Sequence, residues 1–408
     1  MTSPDAPAAG GWRVPFMRPD LPPYAEVGPA IAAAVASGAL TKGEHLRRFE
    51  DEARAACGAA DVVAVSSCTS GLMLVLRSLT AVASMRRGEC PSSCGACATP
   101  AAGRDEVIVP SFIFLAAPAA IVWAGLRPVF VEVDPATFTV DPGAVAAAVG
   151  PRTAAILACH TFGCPCNMPA LAAIAERAGV PLVVDAAHGL GTSQQGRQVG
   201  AAGLAQVFSL SPTKLVVAGE GGLVATSCGC LAELVRIGRE YGNDGGYGCD
   251  RAGMNARMPE ASAILGRASL ARLPDVAARR RAAAAAYRDE LAAAPGIGFQ
   301  HVPEGDESSW KDFCIAVDPA RAGVDRDGLR AALASRGIDT RAYYAPACHQ
   351  MQAFKAFLPA GRSLPVTDRL AATLVALPMG AHVTPDVARD VASEIRGLLP
   401  ASNRPALA

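Results

Sequence analysis

The chain has 408 residues, 51% of them hydrophobic, and its 37 basic and 37 acidic side chains give a formal net charge of +0 at pH 7. This balance excludes partners that need a strongly basic surface, such as nucleic acid or an anionic membrane. No uninterrupted apolar run reaches the length of a membrane span, and the N-terminus lacks the pattern of a secretion signal. We therefore predict a soluble cytoplasmic protein that is large enough for two domains.

The thirteen cysteines do not predict disulfides, because the number is odd and no secretion signal precedes them. Three of them, Cys90, Cys94 and Cys97, have C-x3-C-x2-C spacing in a Gly-, Ala-, Ser- and Pro-rich stretch at about 86–105, which is predicted to be a loop. Three such thiolates are able to bind zinc or an iron–sulfur cluster. The candidates for a fourth zinc ligand are Cys164, Cys166, Cys228, Cys230 or a water molecule. Loop cysteines often bind nothing, so we predict no catalytic metal and leave a structural zinc open.

Short apolar runs alternate with helical segments through the first 185 residues. The predicted strands are 62–65, 107–109, 129–133, 154–158 and 181–185, and the predicted helices are 25–36, 44–57, 72–81, 141–149 and 168–178, with one more ending at 124. This alternation is typical of a mostly parallel sheet covered by helices on both faces. Ligands of such sheets bind beyond the carboxyl ends of the strands, so residues at those ends are the candidates for a site.

Beyond residue 258 the pattern indicates a smaller α+β unit. A long helix is predicted over 261–290, and its Arg279-Arg280-Arg281 run is predicted to be a solvated helix face. The elements that follow are a strand at 312–317 and helices at 326–335 and 386–398. The predicted division of the chain is a loose tail at 1–12, a large domain at 13–258 and a small C-terminal domain at 259–408.

Two motifs in the large domain carry chemistry. Asp185 ends an apolar strand and precedes His188 by three residues, and further on Ser209 precedes Lys214 by five. A lysine on a loop after a strand is able to form a Schiff base with the aldehyde of pyridoxal phosphate (PLP), and an acid at a strand end keeps the pyridine nitrogen of PLP protonated. A serine on the lysine loop is able to hydrogen-bond the phosphate. Singly, such a lysine is usually solvated and such an aspartate is usually a cap, but the ordered combination favours PLP.

A further anion site is predicted at 66–71, where a strand passes into a helix through a turn of small residues. Free backbone N–H groups and the helix dipole at such a turn attract phosphate. Alone, the pattern indicates an ordinary capped helix. With Lys214 downstream, we interpret it as part of the same PLP site.

These motifs resemble those of the DegT-type (DegT/DnrJ/StrS) sugar aminotransferases, a family of PLP fold type I in the aspartate aminotransferase superfamily, and the resemblance extends over about 14–399. It implies an α/β fold, in which a large domain has a mostly parallel seven-stranded sheet covered by helices and a smaller C-terminal domain is α+β. It implies that Lys214 holds the cofactor and later moves the proton. The other implied cofactor contacts are Asp185 to the ring nitrogen, His188 to the ring hydroxyl, Phe114 stacked on the ring, and Ser209 with the amides of Thr69 and Ser70 on the phosphate. Cys68 stands where glycine is usual in the family.

The resemblance also covers two later segments. Asn255 matches a residue that the family supplies to the phosphate from the neighbouring subunit, which implies a homodimer with shared sites. The stretch from Tyr343 to His349 resembles the substrate-side segment Tyr-x-Pro-Leu-His, although Ala347-Cys348 departs from it. This implies that Tyr343 and His349 contact the substrate.

The implied reaction moves an amino group from glutamate or glutamine to a keto-sugar nucleotide or a keto-cyclitol, in amino-sugar or natural-product biosynthesis. One alternative is a sugar dehydratase that uses pyridoxamine phosphate and an iron–sulfur cluster. The cysteine group favours it, and Lys214 disfavours it, because related dehydratases have histidine there. The other alternative is a non-catalytic regulator on the same fold, which the intact Lys214, Asp185 and Ser209 disfavour.

Overall fold

The computed structural model describes residues 11–82, 103–243, 245–246, 248–249 and 251–400. Cys90, Cys94 and Cys97 lie outside these ranges, as does nearly all of the predicted loop around them and of the tail at 1–12. The predictions for these segments therefore stay predictions.

Helices and strands alternate along the first part of the described chain. In order they are α1 (Tyr24–Ser37), α2 (Glu44–Cys57), β1 (Asp61–Val65), α3 (Cys68–Val82), β2 (Glu106–Pro110), α4 (Ala116–Trp123), β3 (Arg127–Val131), α5 (Pro142–Ala148), β4 (Thr153–Cys159), α6 (Met168–Ala178), β5 (Leu182–Asp185), β6 (Ser193–Gln194), β7 (Arg197–Gln198), β8 (Ala205–Ser209), β9 (Gly222–Thr226) and α7 (Gly229–Gly238). The later elements are α8 (Glu260–Ala271), α9 (Leu273–Leu291), β10 (Ile297–Phe299), β11 (Phe313–Val317), α10 (Pro319–Ala322), α11 (Arg326–Ser335), α12 (Pro365–Thr373), β12 (Leu374–Leu377) and α13 (Pro385–Arg396).

Seven strands form one sheet in the order β1-β9-β8-β5-β4-β2-β3. Only β9 runs antiparallel to its neighbours in this sheet, and the remaining pairs are parallel. The predicted seven-stranded, mostly parallel sheet is therefore confirmed. A second sheet of three antiparallel strands, β10-β11-β12, confirms the smaller α+β unit. Within the described ranges no helix combines the length and apolar character that crossing a membrane requires.

Both faces of the large sheet are covered by apolar side chains. In β1, Val62 and Ala64 pack into the cluster that includes α2 and α6, whereas Val63 and Val65 pack into the cluster that includes α3, α4 and α7. Because alternate side chains point to opposite faces and both faces are buried, the strands read in the sequence as continuous apolar runs.

The single long helix predicted over 261–290 is wrong, because two helices, α8 and α9, meet at Arg272. Pro274 lies in the first turn of α9, where its missing N–H removes no helical hydrogen bond. Deeper inside a continuous helix, the same proline would remove a backbone hydrogen bond. The break also separates packing partners, since α8 packs against α1 and α2 whereas α9 packs against α13. The predicted domain boundary at 258/259 stays a prediction.

The predicted solvated face at Arg279-Arg280-Arg281 is wrong for its central residue. Arg280 is 3% exposed, and its Nη1 donates to the carbonyl oxygens of Lys311 (2.8 Å) and Trp310 (3.4 Å). The sequence pattern of α9 gives no sign of this, because the acceptors lie about thirty residues further along the chain.

A buried carboxylate joins the start of α2 to the start of α8. Glu260 is 2% exposed and accepts hydrogen bonds from the backbone N–H groups of Gly43 (2.9 Å), His45 (3.0 Å) and Leu46 (3.1 Å). The first N–H groups of a helix have no acceptor within the helix, and a negative charge there interacts favourably with the helix dipole. Glu260 therefore fixes α2, which packs on β1, relative to the later helices.

We expect Glu260→Gln to lower the free energy of unfolding by about 1–3 kcal/mol, because the amide leaves at least one of these buried N–H groups without its acceptor. Equilibrium unfolding in urea measures this change. Glu44→Gln makes the same charge change on a side chain that is 62% exposed in the first turn of α2, and we expect an effect within about 0.5 kcal/mol. Equal effects of the two substitutions would contradict the prediction.

Candidate active site

The carboxyl ends of β1, β2, β4, β5 and β8 lie along one edge of the large sheet. Across this edge Val65 of β1 and Ser209 of β8 both pair with Gly222 of β9, while Asp185 of β5 pairs with Val207 of β8. The loops that follow these strands therefore lie side by side, and they carry most of the residues singled out in the sequence.

The start of α3 lies directly against Gly222. A Cβ atom at position 222 would lie 2.6 Å from both the nitrogen of Cys68 and the carbonyl carbon of Ser67, so this approach requires glycine. The Oγ of Ser70 accepts from the N–H of Ser67, and the Oγ of Ser67 accepts from the N–H of Ser70, both at 3.0 Å. The Ser70 amide is therefore engaged within the turn, and its predicted contact with phosphate requires this bond to open. Thr69 lies in the first turn of α3, where helix geometry leaves its N–H without an acceptor in the helix.

Asp185 is 4% exposed at the end of β5. Its Oδ1 accepts from the N–H of Ala187 (3.0 Å) and lies 3.9 Å from the Sγ of Cys68. Within the described chain these are the contacts of its carboxylate, and neither is an ion pair. Burial raises the pKa of Asp185, while the Ala187 N–H and the charge of Lys214 act in the opposite direction. A buried carboxylate without an ionic partner is costly, so this position fits a group that brings its own positive charge, such as a protonated ring nitrogen.

Lys214 lies five residues after the end of β8, in a turn where its N–H donates to the carbonyl oxygen of Ser211 (3.0 Å). Burial lowers the pKa of its amine from 10.5 to about 8, and the positive charge of Lys311 acts in the same direction. A pKa of about 8 leaves a fraction of this amine neutral near physiological pH, and the neutral form is both a nucleophile and a base. Ser209 is buried on the same loop, and its Oγ accepts from the N–H of Ser211 (3.4 Å).

His188 is held in one tautomer by the loop after β4. Its Nδ1 accepts from the backbone N–H of Phe162 (3.1 Å), and the two rings stack with centroids 6.4 Å apart. Burial, followed by the charge of Lys214, lowers the pKa of His188 well below its usual value. The ring is therefore neutral with Nδ1 as acceptor, which leaves the proton on Nε2 as a donor.

Phe114 and Asn255 are both exposed in the single chain. Phe114 is 53% exposed, unlike its buried neighbours Phe112 and Ile113, so it is not a core residue. Asn255 forms an isolated β-bridge with Glu240. The carbonyl oxygen of the next residue, Ala256, accepts a hydrogen bond from the N–H of Ser66 (2.8 Å), in the turn before α3 of the same chain. Stacking of Phe114 on a cofactor, and the contact of Asn255 with a partner's phosphate, stay predictions.

The two predicted substrate residues differ in their surroundings. Tyr343 is partly exposed, stacks on Tyr344 (5.5 Å between centroids) and lies 5.7 Å from the Nζ of Lys311. His349 is buried, and its ring nitrogens already have partners, since Nδ1 lies 2.7 Å from the Oγ of Ser111 and Nε2 lies 3.1 Å from the Oδ1 of Asp368. A contact between His349 and substrate therefore requires one of these bonds to open, and both substrate roles stay predictions.

Sequence reasoning missed Lys311, which lies just before β11 of the smaller sheet and acts on Lys214. Its Nζ lies 2.8 Å and 2.9 Å from the two carboxylate oxygens of Asp312, and both side chains are buried. The charge of Asp312 raises the pKa of Lys214, opposite to the effect of Lys311. The sequence gives no direct signal for this role, because Lys311 and Lys214 are distant along the chain.

The four candidate fourth ligands for zinc lie in two places. Cys164 contacts the carbonyl oxygen of His301 (3.5 Å), and Cys166 contacts the Sδ of Met168 (3.5 Å). Cys228 and Cys230 lie at the start of α7, beyond the end of the antiparallel strand β9 and so at the edge of the sheet opposite Lys214. Among the described residues, no three His, Cys, Asp or Glu side chains form a group able to hold a metal ion. A structural zinc on Cys90, Cys94 and Cys97 stays an open prediction.

We expect the amine of Lys214 to titrate with a midpoint near pH 8 in the cofactor-free protein, because burial disfavours its charged form and so shifts the pKa down from 10.5. The neutral amine then prevails above pH 8. Brief acetylation at a series of pH values, followed by peptide mapping, measures the midpoint for this one residue. A midpoint near 10.5 would contradict the prediction.

Comparison with known proteins agrees with this geometry. The model of the DegT/DnrJ/EryC1/StrS aminotransferase family matches residues 25–396. The chain is 35% identical over 373 residues to dTDP-3-amino-3,4,6-trideoxy-alpha-D-glucose transaminase of Streptomyces venezuelae, covering 91% of this chain and 92% of the relative. It is also 35% identical over 373 residues to the erythromycin biosynthesis sensory transduction protein EryC1 of Saccharopolyspora erythraea, covering 91% and 94%.

Among solved structures, the chain is similar to DesI, whose structure was analysed in the presence of its TDP-sugar product. The TM-score is 0.84 at 35% identity, over 96% of this chain and 94% of DesI. The sheet order, the edge that carries Lys214 and these similarities lead to one conclusion: the chain belongs to the DegT/DnrJ/EryC1/StrS aminotransferase family and has its PLP fold type I architecture.

Proposed function

We propose that the protein is a PLP-dependent aminotransferase that transfers an amino group to a keto group on a sugar nucleotide. One observation supports this most directly: Asp185, Lys214 and the start of α3 meet at one edge of the large sheet. They offer an acid for a ring nitrogen, an amine for an aldehyde and N–H groups for a phosphate. The aminotransferases of this family are PLP-dependent, which agrees with that set of groups.

The residues at this edge fit PLP group by group. Asp185 would face the ring nitrogen, and the Nε2–H of His188 would donate to the ring hydroxyl. The Oγ of Ser209 and the N–H of Thr69 would hold the phosphate, and Phe114 would cover the ring. When bound, PLP supplies an electron-withdrawing ring that stabilises negative charge on the neighbouring carbon of the substrate.

Lys214 has two successive tasks in this function. It would first hold the cofactor, and its amine, once free, would lie beside the carbon that loses a proton. A pKa of about 8 leaves a useful fraction of this amine neutral at physiological pH, so it is able to accept that proton. The resulting ammonium is still acidic enough to return the proton to a neighbouring atom.

The proposed amino donor is glutamate or glutamine, and the proposed acceptor is a keto-sugar linked to a nucleotide. A similar protein is named as a transaminase of a dTDP-linked sugar, and the similar protein DesI was analysed with a TDP-sugar product. These similarities favour a sugar nucleotide over a keto-cyclitol. The setting that they support is the biosynthesis of antibiotics or amino sugars.

We further propose a homodimer in which Asn255 completes the phosphate site of the partner. The exposure of Asn255 supports this, as does the exposure of large apolar side chains such as Tyr24 (81%) and Trp123 (78%). Apolar side chains exposed in a single chain are typical of surfaces that another chain covers.

Lys214→Ala should reduce amino transfer by at least about 10²–10⁴-fold, because no other group replaces the proton carrier. Borohydride reduction of the PLP-loaded wild type should attach the cofactor to Lys214, as read by peptide mapping. Lys355→Ala, on an exposed side chain, is the control and should leave both results unchanged. Recovery of the cofactor on another lysine would overturn the assignment.

Mixing two impaired variants tests the shared site. A Lys214→Ala subunit keeps Asn255, and an Asn255→Ala subunit keeps Lys214, so a mixed dimer should contain one site with both residues. If Asn255 serves the partner, equimolar mixing with subunit exchange should restore about a quarter of the wild-type specific activity, because half of the dimers are mixed and each has one intact site. If Asn255 serves its own chain, mixing restores nothing above the average of the two variants.

A further inference from the structure

Lys311 is a second buried lysine, and its charge acts on Lys214. The sequence has only four lysines, and the remaining two, Lys42 and Lys355, are exposed. Among the charged groups that shift the pKa of Lys214, Lys311 has the largest effect. Placing two lysines together in the interior is unfavourable unless negative charge accompanies them.

The position of Lys311 is fixed by contacts between the two sheets. Two residues before it, Ser309 donates from its Oγ to the carbonyl oxygen of His188 (2.7 Å). The backbone of Ser309 also donates to the Oγ1 of Thr192 (3.3 Å), which in turn donates to the carbonyl oxygen of Gly163 (2.8 Å). The segment that carries Lys311 is therefore attached to the loops after β4 and β5, where the predicted cofactor contacts lie.

The positive charge of Arg280 has no carboxylate hydrogen-bond partner of its own in the described chain. Asp312 balances Lys311, but the guanidinium of Arg280 donates only to backbone carbonyls in the described chain, and its buried Nε has no partner there. The charges of Lys214, Lys311 and Arg280 all lower the pKa of His188, so all three act on the same point. Two other carboxylates are near these groups: Asp20, whose charge acts on Arg280, is already paired with Arg272 and Arg279, and Asp185 would face the ring nitrogen in the proposed function.

We propose that Lys311, with Arg280 behind it, binds the α-carboxylate of the amino donor. In the free protein the carboxylate of Asp312 accepts hydrogen bonds from the ammonium of Lys311, at the distance expected of a charge-assisted hydrogen bond. The carboxylate of the donor shares or replaces that contact. The ring of Tyr343, 5.7 Å from the same ammonium, forms one wall of this subsite. The proposal rests on the aminotransferase function proposed above.

We assign the anion that Lys311 binds to the amino donor rather than to the sugar nucleotide, because the donor carboxylate and the nucleotide diphosphate must lie at different distances from Lys214. The carboxylate of an amino acid is bonded to the carbon whose proton Lys214 moves, so it stays next to Lys214. The diphosphate of a sugar nucleotide is separated from the keto carbon by the sugar ring. A cation close enough to influence Lys214 is therefore placed for the carboxylate.

Binding of glutarate, an unreactive dicarboxylate, to the PLP-loaded enzyme tests the assignment by calorimetry. Lys311→Met should weaken glutarate binding by about tenfold or more, because a charge-assisted contact is lost. Asp312→Asn should keep or tighten binding, because it removes the competing carboxylate. The double variant Lys311→Met/Asp312→Asn removes the buried pair together, avoids a lone buried charge and should bind as weakly as Lys311→Met. Lys355→Met is the matched control and should bind as the wild type does.

Separate half-reactions distinguish the source of the anion. The step with L-glutamate should need higher donor concentrations in Lys311→Met, whereas the step in which the aminated cofactor form meets the keto-sugar nucleotide should be unchanged. Three results would each overturn the proposal. The first is a loss of activity confined to the sugar nucleotide step, and the second is wild-type glutarate affinity in Lys311→Met. The third is an equal weakening of glutarate binding by Lys311→Met and Asp312→Asn. A wild type that transfers no amino group at all would overturn the proposed function instead, and Lys311-dependent glutarate binding would still support the carboxylate subsite.

Discussion

The carboxylate of Asp185 is the group on which the arrangement of this edge depends. It lies at the end of the central strand of the seven-stranded sheet, with β4 on one side and β8 on the other. Taking a carboxylate out of water costs several kcal/mol, and here one backbone N–H and a weakly interacting thiol offset only part of that cost. The charge of Lys214 also acts in favour of the carboxylate, and in the proposed function a cationic ring nitrogen would offset the rest. The position is therefore more readily explained by a bound cofactor than by the stability of the chain alone.

The elements on either side of Asp185 are placed by backbone contacts rather than by long side chains. Gly222 allows the start of α3 to lie against β9, and the same pairing brings Ser209 to the edge. Gly163, at φ +102, similarly leaves room for Ser309, since a Cβ there would lie 2.2 Å from the serine Oγ. Close backbone approach is what allows the small sheet to contribute to a site that the large sheet carries.

The sequence was sufficient for features that are local. Each strand of the large sheet is a short apolar run whose burial on both faces leaves a clear pattern, and the motifs around Asp185 and Lys214 follow directly from such runs. The break at Arg272 was missed because helix-forming residues continue on both sides of it, although Pro274 marks it. Arg280 and Lys311 were missed for a different reason. Their roles come from partners that are distant in the sequence, and no periodicity in α9 or before β11 encodes those contacts.

An aminotransferase has to accept two unlike substrates in turn at the same cofactor, one with a carboxylate beside the reacting carbon and one with only hydroxyl and ring groups there. A fixed unpaired cation would suit the first and penalise the second, because an unpaired buried charge is costly. A Lys311–Asp312 pair avoids this conflict. When no carboxylate is present the two side chains neutralise each other, and when one arrives it meets an ammonium whose charge already acts on Lys214. In the proposed function, the same pair moderates the pKa of Lys214 in both halves of the reaction, since its two charges act on that amine with opposite signs.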